Sequence, residues 1–110
     1  MESTPLKPHW FQVLLALSEG PRHGFAIRDA VEERTAGGMV LWPATLYGVL
    51  RDLADAGWIQ ELGAGEAPDA DARRKYYELT AAGRDRLLDE ARRLEGWAAA
   101  ARAGLRPEES

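Results

Sequence analysis

The segment from Pro43 to Gly57 constrains the fold more than any other part of the sequence. Proline is favoured at the first position of a helix and glycine just beyond its end, so these two residues bracket one helix. The apolar residues between them recur at the spacing of a single helix face, and they are Leu46, Val49, Leu50 and Leu53. The sequence therefore predicts an amphipathic helix whose apolar face must be covered by other elements.

Two further helices are predicted before this segment. The first begins at Pro8 and ends before the Gly20-Pro21 pair, and the second extends from about Gly24 to Thr35. The apolar residues expected to face the core are Trp10, Val13, Leu14 and Leu17 in the first helix, and Phe25 or Ala26, Ile27, Ala30 and Val31 in the second. Three helices of this length are enough to enclose one small core.

Two short strands are predicted after the third helix. The segments 58–62 and 75–79 are rich in aromatic and β-branched residues, which favour strands. The linking segment 63–74 is polar and rich in small residues, as in a hairpin tip, and it carries the acidic residues Glu66, Asp69 and Asp71. Three helices followed by a hairpin predict a mainly α fold, a winged helix-turn-helix, over residues 1–80.

The last predicted helix extends from about Ala81 to Ala103, with Thr80 as its N-cap and Gly104 at its end. Its apolar residues are spaced 4, 3, 4, 3 and 4 apart, which is a heptad pattern. We call them the C-terminal stripe: Leu87, Ala91, Leu94, Ala98, Ala101 and Leu105. The stripe is expected to pair with a second copy of the chain, or alternatively to pack on its own domain. Residues 81–110 are therefore predicted to be a dimerisation helix with a polar tail.

Several classes of function are disfavoured by what the sequence lacks. The 110 residues include no cysteine, which excludes disulfides, zinc fingers and thiol catalysis. No Ser-His-Asp arrangement, P-loop or G-x-G-x-x-G motif is present, so neither an enzyme nor a cofactor is expected. His9 and His23 lack a spacing suited to a metal, and the carboxylates are expected on exposed faces. No signal peptide or membrane span is evident, which favours a cytoplasmic protein.

One exposed helix face and one basic run are the candidates for binding duplex DNA. The polar side of the Pro43–Gly57 helix carries Asp52 and Asp55 together with the candidate DNA contacts, which we call the recognition face: Ala44, Thr45, Tyr47, Gly48 and Arg51. Its small residues would allow close approach to a major groove, and Arg51 can reach a phosphate or a guanine edge. The run Arg73-Arg74-Lys75 lies where the hairpin leaves its tip. Each feature has an alternative: Tyr47 packing on the second helix, Thr45 spacing the helix start, and the basic run being a solvated surface.

These segments resemble the PadR family of transcriptional regulators. The resemblance rests on TLYGVL (45–50), LADAGWI (53–59) and RRKYYELTAAGR (73–84), and it covers most of the chain. It implies a winged helix that binds DNA, with the recognition face and the Arg73–Lys75 run as contacts. It also implies a homodimeric repressor on a pseudo-palindromic operator, released by a small effector or a stress signal. The single short final helix resembles the small branch of the family, some of whose members bind flat hydrophobic compounds between the paired helices.

The resemblance leaves two questions open. A planar hydrophobic ligand between paired C-terminal helices would contact Trp97, with Trp10 and Leu14 as lining; alternatively, Trp97 only packs in the interface. The net charge of −4 and the acidic hairpin tip are unusual for a DNA-binding protein. They motivate a second interpretation, a winged-helix module that binds other proteins and not DNA.

Overall fold

The computed structural model describes residues 4–62 and 75–107 as four helices and a small sheet. The elements in chain order are α1 (Pro8–Leu17), β1 (Arg22–His23), α2 (Gly24–Arg34), α3 (Pro43–Asp55), β2 (Ile59–Glu61), β3 (Tyr76–Leu79) and α4 (Ala81–Gly104). The strands form one antiparallel sheet in the order β1-β3-β2. The predicted mainly α fold with a β-hairpin is confirmed.

Strand β1 is the element that the sequence analysis missed. Arg22 and His23 pair with Tyr77 and Tyr76 on the far side of β3 from the hairpin partner β2. A strand of two residues is too short to produce an alternating pattern, so periodicity could not reveal it. As a result β3 is the central strand, and both of its tyrosines are buried.

The core is formed by the apolar faces of the first three helices. All four α3 residues predicted to face inward are buried, as are Val13, Leu14 and Leu17 of α1 and Ile27 and Val31 of α2. Phe25 is exposed and Trp10 is only partly buried. Outside the strands, three buried apolar residues were not predicted to belong to the core: Leu6, before α1, Ala16, within α1, and Leu41, before α3.

The start of α4 is bonded to the turn that ends α3. Thr80 is the N-cap as predicted: its hydroxyl oxygen accepts a hydrogen bond from Gly83 N at 3.0 Å. The same hydroxyl donates to Gly57 O at 2.6 Å, and Thr80 N donates to Trp58 O at 3.1 Å. At Gly83 the helix approaches so closely that a Cβ atom would lie 1.9 Å from Trp58 O. We call this contact the α3–α4 junction.

The end of α4 differs by one residue from the prediction. Gly104 was expected to close the helix, but it lies within α4 and Leu105 is the C-cap. At the end of α3, by contrast, Gly57 adopts a φ of +81°, which is the left-handed conformation that favours glycine after a helix. Gly104 does not adopt a positive φ and continues the helix.

Glu90 corrects the expectation that the carboxylates lie on exposed faces. Its side chain in α4 is only 3% exposed. It accepts hydrogen bonds from Leu6 N at 3.3 Å and from Arg93 Nε at 3.1 Å, and the Arg86 guanidinium lies 3.8 Å away. The hydrogen bond from Arg93 is the main reason that the pKa of Glu90 is lowered. Arg86 also donates to Thr4 O, so this cluster holds the N-terminal segment against α4.

Within residues 4–62 and 75–107, no helix combines the length and the apolar character that crossing a membrane requires.

Candidate nucleic-acid interface

The recognition face lies at the surface of α3. Ala44, Thr45 and Arg51 are exposed, Tyr47 is half exposed and Gly48 is partly exposed. At 100° per residue, all of them except Thr45 fall within about 100° of one another, opposite the buried leucines. No hydrogen bond or ion pair links Arg51 to another described residue. Its guanidinium is therefore available to a partner.

Tyr47 lies between α3 and the start of α2. A Cβ atom at Gly24 would be 3.4 Å from the Tyr47 hydroxyl oxygen, so the tyrosine packs against the first turn of α2 and half of its surface remains exposed. It also lies near Tyr77, whose pKa is raised by burial first, then by Glu61 and Tyr47. The predicted alternative, packing of Tyr47 on α2, therefore holds for one part of the side chain. The rest of the side chain remains accessible to a partner.

Only the last residue of the predicted basic run lies in the described structure. Lys75 precedes β3, is exposed, and places its Nζ 4.0 Å from Glu61 Oε1 on the neighbouring strand. An exposed pair at this distance is weak, so another anion can displace Glu61. Arg73, Arg74 and the acidic hairpin tip lie outside the described residues.

The charge distribution around α3 is a signal that sequence reasoning missed. The chain has 18 acidic residues among 110, yet none lies between Glu33 and Asp52. That stretch contains two arginines, the turn from α2 to α3, and most of α3. The net charge of −4 is therefore spread unevenly along the sequence, although exposed Asp55 lies on the same side of α3 as Arg51.

The C-terminal stripe divides into two halves. Leu87 and Ala91 are partly buried, and Leu87 packs against the core of the same chain. From Leu94 onward the helix is exposed along its length, which includes Ala98, Ala101 and Leu105. The alternative that the stripe packs on its own domain thus applies to its first half. The second half is an apolar surface that no described residue covers.

The residues suggested for ligand binding are not brought together within one chain. Trp97 is 65% exposed on the outer half of α4. Trp10 lies in the body of the domain, where its ring makes an edge contact with Trp58 at 5.9 Å between centroids. Leu14 has no exposed surface, so it would contact a ligand only if the core opened. Among the described residues, no three His, Asp or Glu side chains are grouped as a metal site.

Solved structures share this arrangement of elements. A transcriptional regulator from Clostridium thermocellum superposes with a TM-score of 0.70 at 24% identity, covering 88% of this chain and 89% of the other. PadR of Bacillus subtilis, solved in complex with operator DNA, superposes with a TM-score of 0.62 at 24% identity. That match covers 77% of this chain and 47% of PadR. At this identity the likeness establishes the fold.

A sequence relative and a family profile add to the structural likeness. An uncharacterized 37.1 kDa protein of transposon Tn4556 from Streptomyces fradiae is 38% identical over 79 residues. The match covers 72% of this chain, and the chain spans about a fifth (21%) of that protein. The profile of the transcriptional regulator PadR-like family matches residues 13–89, which is more than half of the chain. The match confirms the resemblance seen in the sequence motifs: this chain belongs to the PadR-like family of transcriptional regulators.

Proposed function

We propose that this chain binds duplex DNA through the recognition face of α3 and through the Arg73–Lys75 run, which we call the base of the wing. We also propose that it represses transcription as a homodimer. One observation carries the proposal: α3 buries its four apolar residues and leaves small side chains and an unpaired arginine at the surface. The operator complex of B. subtilis PadR, a protein of the same fold, supports duplex DNA as the partner.

The chemistry of the recognition face suits a major groove. Ala44 and Gly48 have little side-chain bulk, so the α3 backbone can approach base edges closely. Arg51 can donate two parallel hydrogen bonds to the O6 and N7 atoms of a guanine. Lys75 and the preceding arginines at the base of the wing would contact phosphates, which fix the register of the protein on the duplex.

The outer half of α4 supports a second copy of the chain as partner. Its exposed alanines and leucines have the heptad spacing that allows two helices to pack closely. In a two-fold pair, two recognition faces would enter successive major grooves about 34 Å apart, which matches a pseudo-palindromic operator. In this proposal residues 1–80 read DNA and residues 81–110 pair the subunits.

The test is selection of duplexes from a random pool, followed by affinity measurements over a range of salt concentrations. Lys75→Ala should weaken binding to every sequence and lower the slope of log K against log salt by about one, because one phosphate contact is lost. Arg51→Ala should instead change which sequences are preferred. Arg92→Ala removes an exposed cation from α4 and serves as the matched control.

The net charge of −4 favours the competing function, a protein-binding module. Failure of the wild-type chain to enrich any duplex at low salt, together with recovery of a stable protein partner, would favour that alternative. Enrichment of a two-fold symmetric sequence with loss of affinity only in the α3 and wing variants would support DNA binding.

An effector at the paired α4 helices would contact Trp97, which is exposed on each chain. A planar aromatic compound that binds there should quench Trp97 fluorescence and weaken DNA binding in the same concentration range. Equal affinity of the compound for a Trp97→Ala variant would contradict this role.

A further inference from the structure

Trp42 is a large apolar side chain exposed at the start of α3. It is the N-cap residue of the helix, with extended backbone angles of φ −65° and ψ 152°. Its side chain is 69% exposed, whereas Leu41 immediately before it is completely buried. The chain thus turns outward at this residue and presents an indole ring to solvent.

Neither helix capping nor burial explains a tryptophan at this position. Ser, Thr, Asp and Asn are preferred at an N-cap because their side chains accept a hydrogen bond from the first turn. Trp42 makes no such hydrogen bond. A mostly exposed ring also gains little from the hydrophobic effect in the free chain. The side chain is therefore better explained by a partner that covers it.

The surroundings of Trp42 favour duplex DNA as that partner. The residue precedes Ala44 and Thr45 of the recognition face, at the helix end that lies nearest to base edges in helix-turn-helix complexes. It also lies within the stretch between Glu33 and Asp52 that has no acidic residue. Trp97 is the other strongly exposed tryptophan among the described residues. It belongs to the outer half of α4, 55 residues later in the sequence.

We propose that Trp42 contacts DNA beside the recognition face. Its ring would pack on the apolar surface of the duplex, a deoxyribose or a thymine methyl group, and its indole N–H would donate to a phosphate oxygen. This inference rests on the proposed DNA-binding function and adds to it a contact of a different kind. Trp42 carries no charge, so its contribution should not depend on counterion release.

The variant Trp42→Ser tests the proposal, because we expect it to raise the thermal stability of the free protein and to lower its affinity for DNA. Serine can cap α3, so the thermal midpoint of the free protein should rise. Affinity for the selected duplex should fall by about tenfold or more, with an unchanged salt slope. Trp42→Phe keeps an apolar ring without the N–H donor and should lose less affinity. Leu88→Ser, which truncates an exposed leucine of α4, is the control for a general surface effect.

Fluorescence gives a second measurement on the intact protein. In a Trp97→Phe background, addition of the selected duplex should change the emission of Trp42, and Trp42→Phe should abolish that change. Tight binding by Trp42→Ser, equal to that of wild type, would overturn this inference and leave the proposed function intact. A lower thermal midpoint in both Trp42 variants would also overturn it, by assigning the residue a structural role. A wild-type chain that binds no duplex would overturn both proposals.

Discussion

At the scale of single residues, Glu90 shows how a charge can hold two distant parts of the chain together. Its carboxylate lies between two arginines of its own helix and accepts a hydrogen bond from Leu6 N, 84 residues away in sequence. Leu6 itself is buried in the core. A buried carboxylate is stabilised only when it is paired and hydrogen-bonded, as Glu90 is.

The contribution of Glu90 to stability should depend on pH. Its folded pKa is lowered, so the stabilisation is complete above the pKa of the unfolded chain and is lost as the pH falls through the folded value. Glu90→Gln should therefore lower the free energy of unfolding at pH 7 by about 1–3 kcal/mol. The difference between variant and wild type should shrink below about pH 4.

Urea unfolding at a fixed protein concentration, repeated at several pH values, measures this effect. Glu95→Gln neutralises an exposed carboxylate on the same helix and should leave the unfolding midpoint unchanged. A deficit in Glu90→Gln that stays constant down to pH 3 would contradict the electrostatic explanation.

Residue-level prediction succeeded where a local pattern determines exposure. The α3 leucines and the recognition face were separated correctly, because helical periodicity alone decides which side of a helix faces the core. Glu90 was not predicted, because its burial depends on an N-terminal segment that no local pattern connects to α4. Trp42 was not singled out either, since a tryptophan next to a proline gives no sign of whether it points inward.

At the scale of elements, the α3–α4 junction determines where the last helix leaves the domain. Thr80 bonds to the carbonyl groups of both Gly57 and Trp58, and Gly83 allows the helix to lie against the same turn. The N-cap role of Thr80 was predictable from sequence, since threonine followed by a helical segment is a typical start. The close approach at Gly83 was not, because it depends on a turn 25 residues earlier in the chain.

Replacing Gly83 with alanine should destabilise the protein strongly. The added Cβ would lie 1.9 Å from a backbone oxygen that cannot rotate away, so α4 or the turn must shift. We expect a loss of about 3 kcal/mol in the free energy of unfolding. Gly96→Ala, in the same helix with no neighbour within 4 Å, should instead raise stability by up to about 1 kcal/mol through helix propensity.

Chemical denaturation of the two glycine variants side by side distinguishes crowding from helix propensity. If Gly83→Ala were as stable as Gly96→Ala, the described contact between α4 and Trp58 would be wrong.

At the scale of the whole molecule, the domain covers half of the C-terminal stripe and leaves the other half free. The fold class was predictable, because the order of the helices and strands, together with the proline, glycine and threonine residues at their ends, suffices to specify it. The expected pairing of subunits rests on the exposed apolar residues of the outer half of α4, which no described residue covers. Dimerisation therefore stays a prediction, narrowed by the structure to the outer half of α4.

A charge on the free half of the stripe should separate the proposed subunits. Leu94→Glu places a carboxylate on that surface, and burying it unpaired in an interface is unfavourable. Leu88→Glu is the matched control, since Leu88 is 48% exposed and Leu94 is 42% exposed, but Leu88 lies off the stripe. Mass measurement by light scattering should give the 12.1 kDa monomer only for Leu94→Glu. Dimers of equal stability in both variants would place the interface elsewhere.

The hydrogen bonds of Thr80 at the α3–α4 junction have a mechanical consequence. A helix of 24 residues is about 36 Å long, so turning it by about 10° about its first residue moves the far end by roughly 6 Å. Conversely, a displacement at the tip reaches the end of α3 as a rotation, because Thr80 at the start of α4 is hydrogen-bonded directly to the turn that ends α3. The last helix can therefore act as a lever arm, and small rearrangements at its tip can change the orientation of α3.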